Sequence, residues 1–574
     1  MLEVLKLSRN ENSHFALNPT NIDISRSKFE RDSSYKTSFD VGQLIPFYLD
    51  EVLPGDTFQI RTSKVVRMQP LVSAPMDNLY FDTYYFFVPN RLVWEHWKQF
   101  NGENTQSAWV PQTEYAIPQI TAPSGGWSVG SLADYFGIPT GISGLSVSSL
   151  PFRAYALIVN EWFRDENLQQ PLNIPVDDTT VVGTNGGDYV TDIAKGGKPF
   201  IAAKYHDYFT SALPAPQKGP DVTIALANGS QLPVISTDVD NTKYLSKSSA
   251  LHYAARLSSG QVLPVGSVMP AGSLASSFSG PGTLLFNDAD SGVVSVGKSS
   301  ATSHVAPTFP ANLHALVDGD VDVMTINQLR MAFQIQKLYE KDARGGTRYV
   351  EILKSHFGVT SPDARLQRPE YLGGNRIPIT INQILQTSET ANTPQGNVAG
   401  QSLTSDVHGD FIRSFTEHGF VIGLCVARYD HTYQQGIARM WSRKTRFDYY
   451  WPVLANIGEQ AILNKEIYAQ GTAKDNEVFG YQEAWADYRY KPSVVTGEMR
   501  SGHANTLDSW HFADYYKSQP YLSAEWIHED KSNIDRVMAV TSDVSNQLFA
   551  DFYIQNTTTR PMPMYSIPGL IDHH

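Results

Sequence analysis

Two short strings in the 574-residue sequence are spelled like catalytic motifs. Gly292-Val-Val-Ser-Val-Gly297-Lys298-Ser299 fits the phosphate-loop pattern G-x-x-x-x-G-K-[ST]. That chemistry needs a strand before the loop and a helix after it, so that backbone N–H groups face the phosphates. The string runs instead into Ser300-Ala-Thr-Ser-His-Val-Ala-Pro307-Thr-Phe-Pro310, where two prolines and β-branched residues oppose a helix. Gly126-Trp-Ser128-Val-Gly130 fits the nucleophile elbow G-x-S-x-G. An elbow needs a buried strand leading into it, which Ala122-Pro-Ser-Gly-Gly126 does not supply. Helical character follows over Ser131–Phe136, so Ser128 reads as a cap or turn residue.

Metal chemistry finds no better footing. The fifteen histidines include no H-E-x-x-H and no Cys/His cluster. Asp318, Asp320 and Asp322 alternate as ligands of a hard cation would, but the rest of a calcium loop is missing, so a solvated turn is expected. His528-Glu529-Asp530 reads as an acidic surface turn. The single cysteine, Cys425, sits in the apolar run Gly419-Phe-Val-Ile-Gly-Leu-Cys-Val-Ala427 and is expected to be a buried, inert thiol. No catalytic constellation emerges, and no enzyme, metal or cofactor is expected.

Basic residues with aromatic neighbours carry the remaining chemistry. Between Arg330 and Arg376 there are nine Lys/Arg against five Asp/Glu, and between Arg428 and Arg446 five against one. The second stretch interleaves Tyr429, Tyr433 and Trp441 with Arg439, Arg443, Lys444 and Arg446, followed by Tyr449, Tyr450 and Trp451. Such a mixture suits stacking and phosphate contact with single-stranded nucleic acid. Subunit interfaces enrich the same types, so DNA-facing and subunit-contact roles both stand for this group. Trp94, Trp97, Trp441 and Trp451 are expected to include subunit-contact or core anchors.

The elements that must position these residues fall into three zones. Residues 1–170 show strand alternation, with Phe58 and Ile60 opposite Gln59 and Arg61. Leu79–Val88 is a nearly unbroken aromatic and β-branched run, as in a strand covered on both sides. Short helices are expected over Arg91–Phe100, carrying Trp94 and Trp97, and over Phe152–Asn167. Residues 171–322 contain neither tryptophan nor glutamate and are dense in Gly, Ser, Thr, Val and Pro, which predicts a β-rich insertion with its core at about 221–310. Residues 323–574 return to the first composition, with a helix over Thr325–Arg344 stopped by Gly345-Gly346, and strands over Phe420–Ala427 and Phe549–Ile554. The first and third zones together predict an antiparallel β-sandwich interrupted by long excursions, the plan of eight-stranded jelly rolls.

Hydrophobic residues make up 41 % and charged residues only 18 % of the chain, below the roughly 25 % usual for soluble proteins, which fits a surface partly covered by neighbours. No apolar run approaches the ~18 residues of a membrane span, and Met1–Asn10 lacks a signal-peptide core, so cytosolic synthesis without membrane insertion is expected. The net charge is −13, so electrostatic packaging of nucleic acid would need a separate cation. Up to Lys36 six basic residues meet five acidic ones, so the N-terminal segment is no arginine-rich arm.

Several long segments resemble the major capsid protein of the Microviridae, within them the gokushovirus branch. They are Phe39-Asp-Val-Gly-Gln-Leu-Ile-Pro-Phe-Tyr-Leu-Asp-Glu-Val-Leu-Pro-Gly-Asp56, Ser73-Ala-Pro-Met-Asp-Asn-Leu-Tyr-Phe81 and Phe87-Val-Pro-Asn-Arg-Leu-Val-Trp94. Gly345-Gly-Thr-Arg-Tyr349, Arg368-Pro-Glu-Tyr-Leu-Gly-Gly374 and Phe479-Gly-Tyr-Gln-Glu-Ala-Trp485 complete the set. The resemblance implies a mainly β protein, a single eight-stranded antiparallel jelly roll with long inserted loops. It implies self-assembly in the host bacterial cytoplasm into a T=1 icosahedral virion enclosing a circular single-stranded DNA genome. The implied partners are a small basic DNA-binding protein, an internal scaffolding protein and a host receptor met by the insertion as a threefold surface protrusion. The rival from another class is a jelly-roll glycan-binding protein or glycosidase.

Overall fold

The computed structural model describes residues 25–104, 113–220, 222, 326–389 and 394–565, with the backbone of six short strands between 234 and 315. Contacts divide the chain into a unit formed by residues 1–219 and 338–574 and a second unit, Pro220–Lys337.

The first unit is built on two antiparallel sheets. Their strands are β1 (Ser27–Glu30), β2 (Ser33–Phe39), β3 (Ile45–Val52), β4 (Thr57–Met68) and β5 (Leu79–Pro89), then β6 (Glu370–Pro378), β7 (Thr404–Ser414), β8 (Gly419–Tyr429) and β9 (Leu548–Arg560). In one sheet β1 and β2 pair in succession with the long β9, followed by β4 and β7; in the other the order is β6-β5-β8-β3. The period-two pattern of β4 dictates which face turns inward: Phe58, Ile60 and Val66 are buried while Gln59 and Arg61 are exposed. Phe39, Phe47, Phe81, Val421, Cys425 and Phe552 join them in one core drawn from both sheets. Phe47 stacks on Phe552 with ring centres 4.4 Å apart. Each fully buried large apolar side chain contributes about 1.5–3 kcal/mol. Cys425 is buried, and the apolar surroundings push its thiol well above its ordinary pKa, so it is held as the neutral, unreactive form. Gly423 is required in β8 because Phe47, Tyr48 and Tyr85 close over it; a Cβ there would come within about 3.0 Å of all three.

The outward faces of β5 and β8 are buried too, which explains their unbroken apolar spelling. Phe86, Val88, Phe420, Ile422 and Leu424 pack under a second layer built around helix α1 (Leu150–Ile158), with Trp94, Trp127 and Phe200. The predicted helix over Arg91–Phe100 resolves into a 3₁₀ turn, Asn90–Leu92, and one helical turn, Trp97–Phe100. At the margin of this layer Asp82 accepts from Arg376 and Arg428 at 2.7 Å each and from the hydroxyls of Tyr84 and Tyr205 at 2.9 Å. Burial would raise the Asp82 carboxyl, but the two guanidiniums outweigh it and hold its pKa below the ordinary value.

In the second unit the described strands form three antiparallel pairs, nested one inside the next. Val234–Ser236 pairs with Leu313–Ala315, Tyr253–Ala255 with Thr308–Pro310, and Leu284–Asp288 with Val294–Lys298. Helix α2 (Ile326–Gly345) matches the predicted one, and Gly346 takes the left-handed φ of +97° that ends it. Asp318, Asp320 and Asp322 lie outside the described residues.

Candidate interaction surface

The catalytic spellings dissolve first. Gly297 and Lys298 lie within a hairpin strand, opposite Leu285 and Leu284, where the phosphate-loop pattern would need a loop. Ser128 sits in a turn, its Oγ and backbone N–H both donating to Asn185 Oδ1, at 3.2 and 2.8 Å. Among the described residues no group of three or more His, Cys, Asp or Glu side chains is placed to hold a metal ion. No described helix is long and apolar enough to cross a membrane.

His528-Glu529-Asp530 is not the surface turn its spelling suggests. Glu529 is buried and accepts from His431 Nε2 at 2.9 Å, while His431 Nδ1 meets Asp514 Oδ1 at 3.0 Å. Lys204 Nζ lies 3.5 Å from Asp514 on its other side, and Asn533 and Tyr516 donate to the same carboxylate. Burial would strip the proton from His431, but Asp514 and Glu529 outweigh it and raise its pKa to about 10. The imidazolium is therefore a fixed cation that pins the chain just after β8.

From this anchor the chain runs into the loop that carries the basic and aromatic residues. Arg439 donates to the carbonyl of Ala461 at 2.8 Å and lies 3.9 Å from Glu466. Arg443 donates to Asp487 and to the carbonyl of Asp448 at 2.9 Å, with its guanidinium 4.4 Å from the centre of the Tyr488 ring. Asp448 in turn accepts from the backbone N–H groups of Lys444 and Thr445, at 2.8 and 2.7 Å. The indole of Trp451 donates to the carbonyl of Arg446 at 2.8 Å, and that of Trp485 to Leu454 at 2.8 Å. The loop is thereby fixed with no regular element longer than the 3₁₀ turns Arg439–Ser442, Arg446–Asp448 and Pro452–Leu454.

What this scaffold presents is mostly apolar. Trp441 is 74 % exposed, Trp451 51 % and Val453 92 %, and Met440, Phe447, Tyr449, Tyr450 and Ile457 are exposed beside them. A cleft of about 740 Å³ opens next to them, lined by Arg439, Trp441, Arg443, Tyr488, Arg489 and Lys491. The sequence-predicted cations thus divide. Arg439 and Arg443 are neutralised by carboxylates, while Lys444 and Arg446 form no ion pair among the described residues. The tryptophans divide as well. Trp94 is 0 % exposed and donates to Asp178 at 2.6 Å, Trp97 is half-buried against it, and Trp441 and Trp451 stand out from the surface. Sequence reasoning missed Asp487, Tyr488 and Glu466; only the acidic and aromatic run Trp485-Ala-Asp-Tyr488 hinted at them.

The family profile described as capsid protein (F protein) matches residues 19–570. The chain belongs to this capsid protein family. It is similar to capsid protein VP1 of Spiroplasma virus 4, 43 % identical over 552 residues that cover 95 % of this chain and 96 % of that protein. It is likewise 42 % identical over 571 residues to capsid protein VP1 of Bdellovibrio phage phiMH2K, covering 98 % and 99 % of the two chains. Capsid protein VP1 of Chlamydia phage 1 matches at 42 % over 586 residues. The resemblance to the Microviridae capsid protein is borne out. A capsid protein is a structural component of the virion and associates with copies of itself, so the exposed aromatic loop belongs to a chain built for contact. Membership favours the structural role over the glycosidase reading.

Proposed function

We propose that the chain is the shell subunit of a T=1 icosahedral capsid, a single jelly roll that encloses a circular single-stranded DNA genome. The strand order supports the jelly roll. Taking β1 with β2 as one position leaves eight, and in chain order these are the first, eighth, third and sixth in one sheet and the fifth, fourth, seventh and second in the other. One observation carries the assembly reading: the rigidly tethered loop from Met440 to Ile457 exposes a concentrated aromatic and aliphatic surface. A monomeric protein rarely leaves so much contiguous apolar surface in water. Trp441, Trp451, Arg439 and Arg443 fit a subunit contact, because the two arginines are already neutralised within their own chain; Lys444 and Arg446 are the members left for DNA.

The insertion, 171–322 with its core at about 221–310, forms the threefold surface protrusion that meets the host receptor. With a net charge of −13, the shell leaves condensation of DNA to a small basic viral protein, and an internal scaffolding protein guides assembly in the host cytoplasm. The test is electron microscopy with sedimentation of the chain co-expressed with its neighbouring viral genes. Uniform small icosahedral particles are expected. A chain that stays monomeric with those partners present overturns the reading.

A further inference from the structure

The sheet formed by β1, β2, β9, β4 and β7 has no second layer on its outer face among the described residues. Along β9, Phe549, Asp551, Tyr553 and Gln555 point outward and are exposed, while Ala550, Phe552 and Ile554 are buried. Register places Arg67 beside Phe549 and Arg61 beside Gln555 on β4, and Lys28 beside Thr559 on β1. Lys36 is engaged by Asp551 at 3.4 Å, and the Tyr553 hydroxyl donates to Asp32 at 2.9 Å, which fixes that ring. The side chains of Lys28, Arg61 and Arg67 have no hydrogen-bond or ion-pair partner among the described residues, and Glu30 is the one carboxylate on this face left unengaged. The two rings are four residues apart on one strand, about 13 Å.

We propose that this open sheet face binds single-stranded DNA, with Phe549 and Tyr553 stacking on bases and Lys28, Arg61 and Arg67 contacting phosphates. The inference rests on the reading that the shell encloses such a genome. A flat sheet with aromatic rings on one strand and free cations on its neighbours is a stacking platform that needs no base-specific contact. A second copy of the chain is a poorer occupant, because interface cores are depleted of charge, and here the exposed Val407, Ile412, Phe549 and Tyr553 are interspersed with Lys28, Lys36, Arg61 and Arg67. Arg439 and Arg443 are tied to carboxylates; Arg61 and Arg67 are not.

The probe is a fluorescein-labelled oligo(dT) of about twenty nucleotides, long enough to cover one such site. Its binding to the purified chain is followed by fluorescence anisotropy across a salt series. The double variant R61A/R67A is expected to bind about tenfold more weakly, with the slope of log K against log salt reduced by about 1.4 for two lost phosphate contacts. F549A/Y553A is expected to weaken binding about fivefold or more with the slope unchanged. All four positions are exposed, and thermal melting confirms that the variants fold. If wild type binds and both variants match it, the proposal is overturned while DNA enclosure stands, most clearly when Lys444→Ala/Arg446→Ala takes the loss instead. A fall in particle yield for R61A/R67A with unchanged oligonucleotide binding assigns the face to a subunit contact and also overturns it. No salt-dependent binding by wild type overturns the DNA reading itself.

Discussion

The two sheets of the sandwich share a core and differ in everything outside it. The sheet β6-β5-β8-β3 is covered on both faces, its outer side filled by Phe86, Ile422 and Leu424 under α1 and its margin tied by Asp82. The sheet containing β9 and β4 is covered on one face and shows Arg61, Arg67 and Tyr553 to solvent on the other. Identical strand chemistry thus serves two ends. One sheet is a wall that spends both faces on stability, while the other keeps a face free for a partner, at the cost of the packing that a second layer would have contributed.

This contrast can be broken at several points. Phe86→Ala, on the covered outer face against Trp162, Phe163 and Tyr371, should lower unfolding free energy by about 3–5 kcal/mol in denaturant titration. A change near zero would mean that the second layer is dispensable. His431→Asn comes next. It leaves Asp514 and Glu529 buried without their shared cation, and losing one partner of such a cluster costs about 3 kcal/mol or more. The sign of the pH dependence follows from the raised folded value. Stabilisation by His431 is complete below its ordinary value near 6.5 and is lost as pH rises through about 10. Wild-type stability should therefore fall between pH 7 and 10 more steeply than that of the asparagine variant; parallel curves would remove the imidazolium from the account. Trp441→Ala should reduce particle yield severalfold by sedimentation while shifting the melting temperature by no more than about 2 °C. Phe549→Ala, on the open face, should change stability least, by no more than about 0.5 kcal/mol. A loss as large as that of Phe86→Ala would show the open face to be structural.

How much of this was legible depends on the range of the interaction. The alternation of β4 and the saturated apolar run of β5 were readable, because each is a local pattern imposed by a sheet with one or two covered faces. The stop of α2 at Gly345-Gly346 was readable for the same reason. The fate of Glu529 was not, since the partner that makes it an anchor, His431, stands 98 positions away, and Lys204 joins the same cluster through Asp514 from farther still. Arg439 and Arg443 looked like free cations because the carboxylates that neutralise them, Glu466 and Asp487, arrive from other turns of the chain. Arg61 was legible only as the polar half of a strand and Arg67 not at all, because nothing local distinguishes a solvated face from one reserved for a partner.

The nested pairing inside the insertion has a consequence for how such chains can diversify. Because Val234–Ser236 lies against Leu313–Ala315, the two ends of everything between them are held at the spacing of neighbouring strands, roughly 5 Å. Whatever is inserted or deleted beyond that clamp leaves its anchor points where they were. Loop-closure entropy rises only logarithmically, about 0.6 kcal/mol for each doubling of length. The stretch between the clamped strands is thus a place where length and sequence can drift, or a foreign peptide be grafted, at almost no thermodynamic expense to the rest of the subunit.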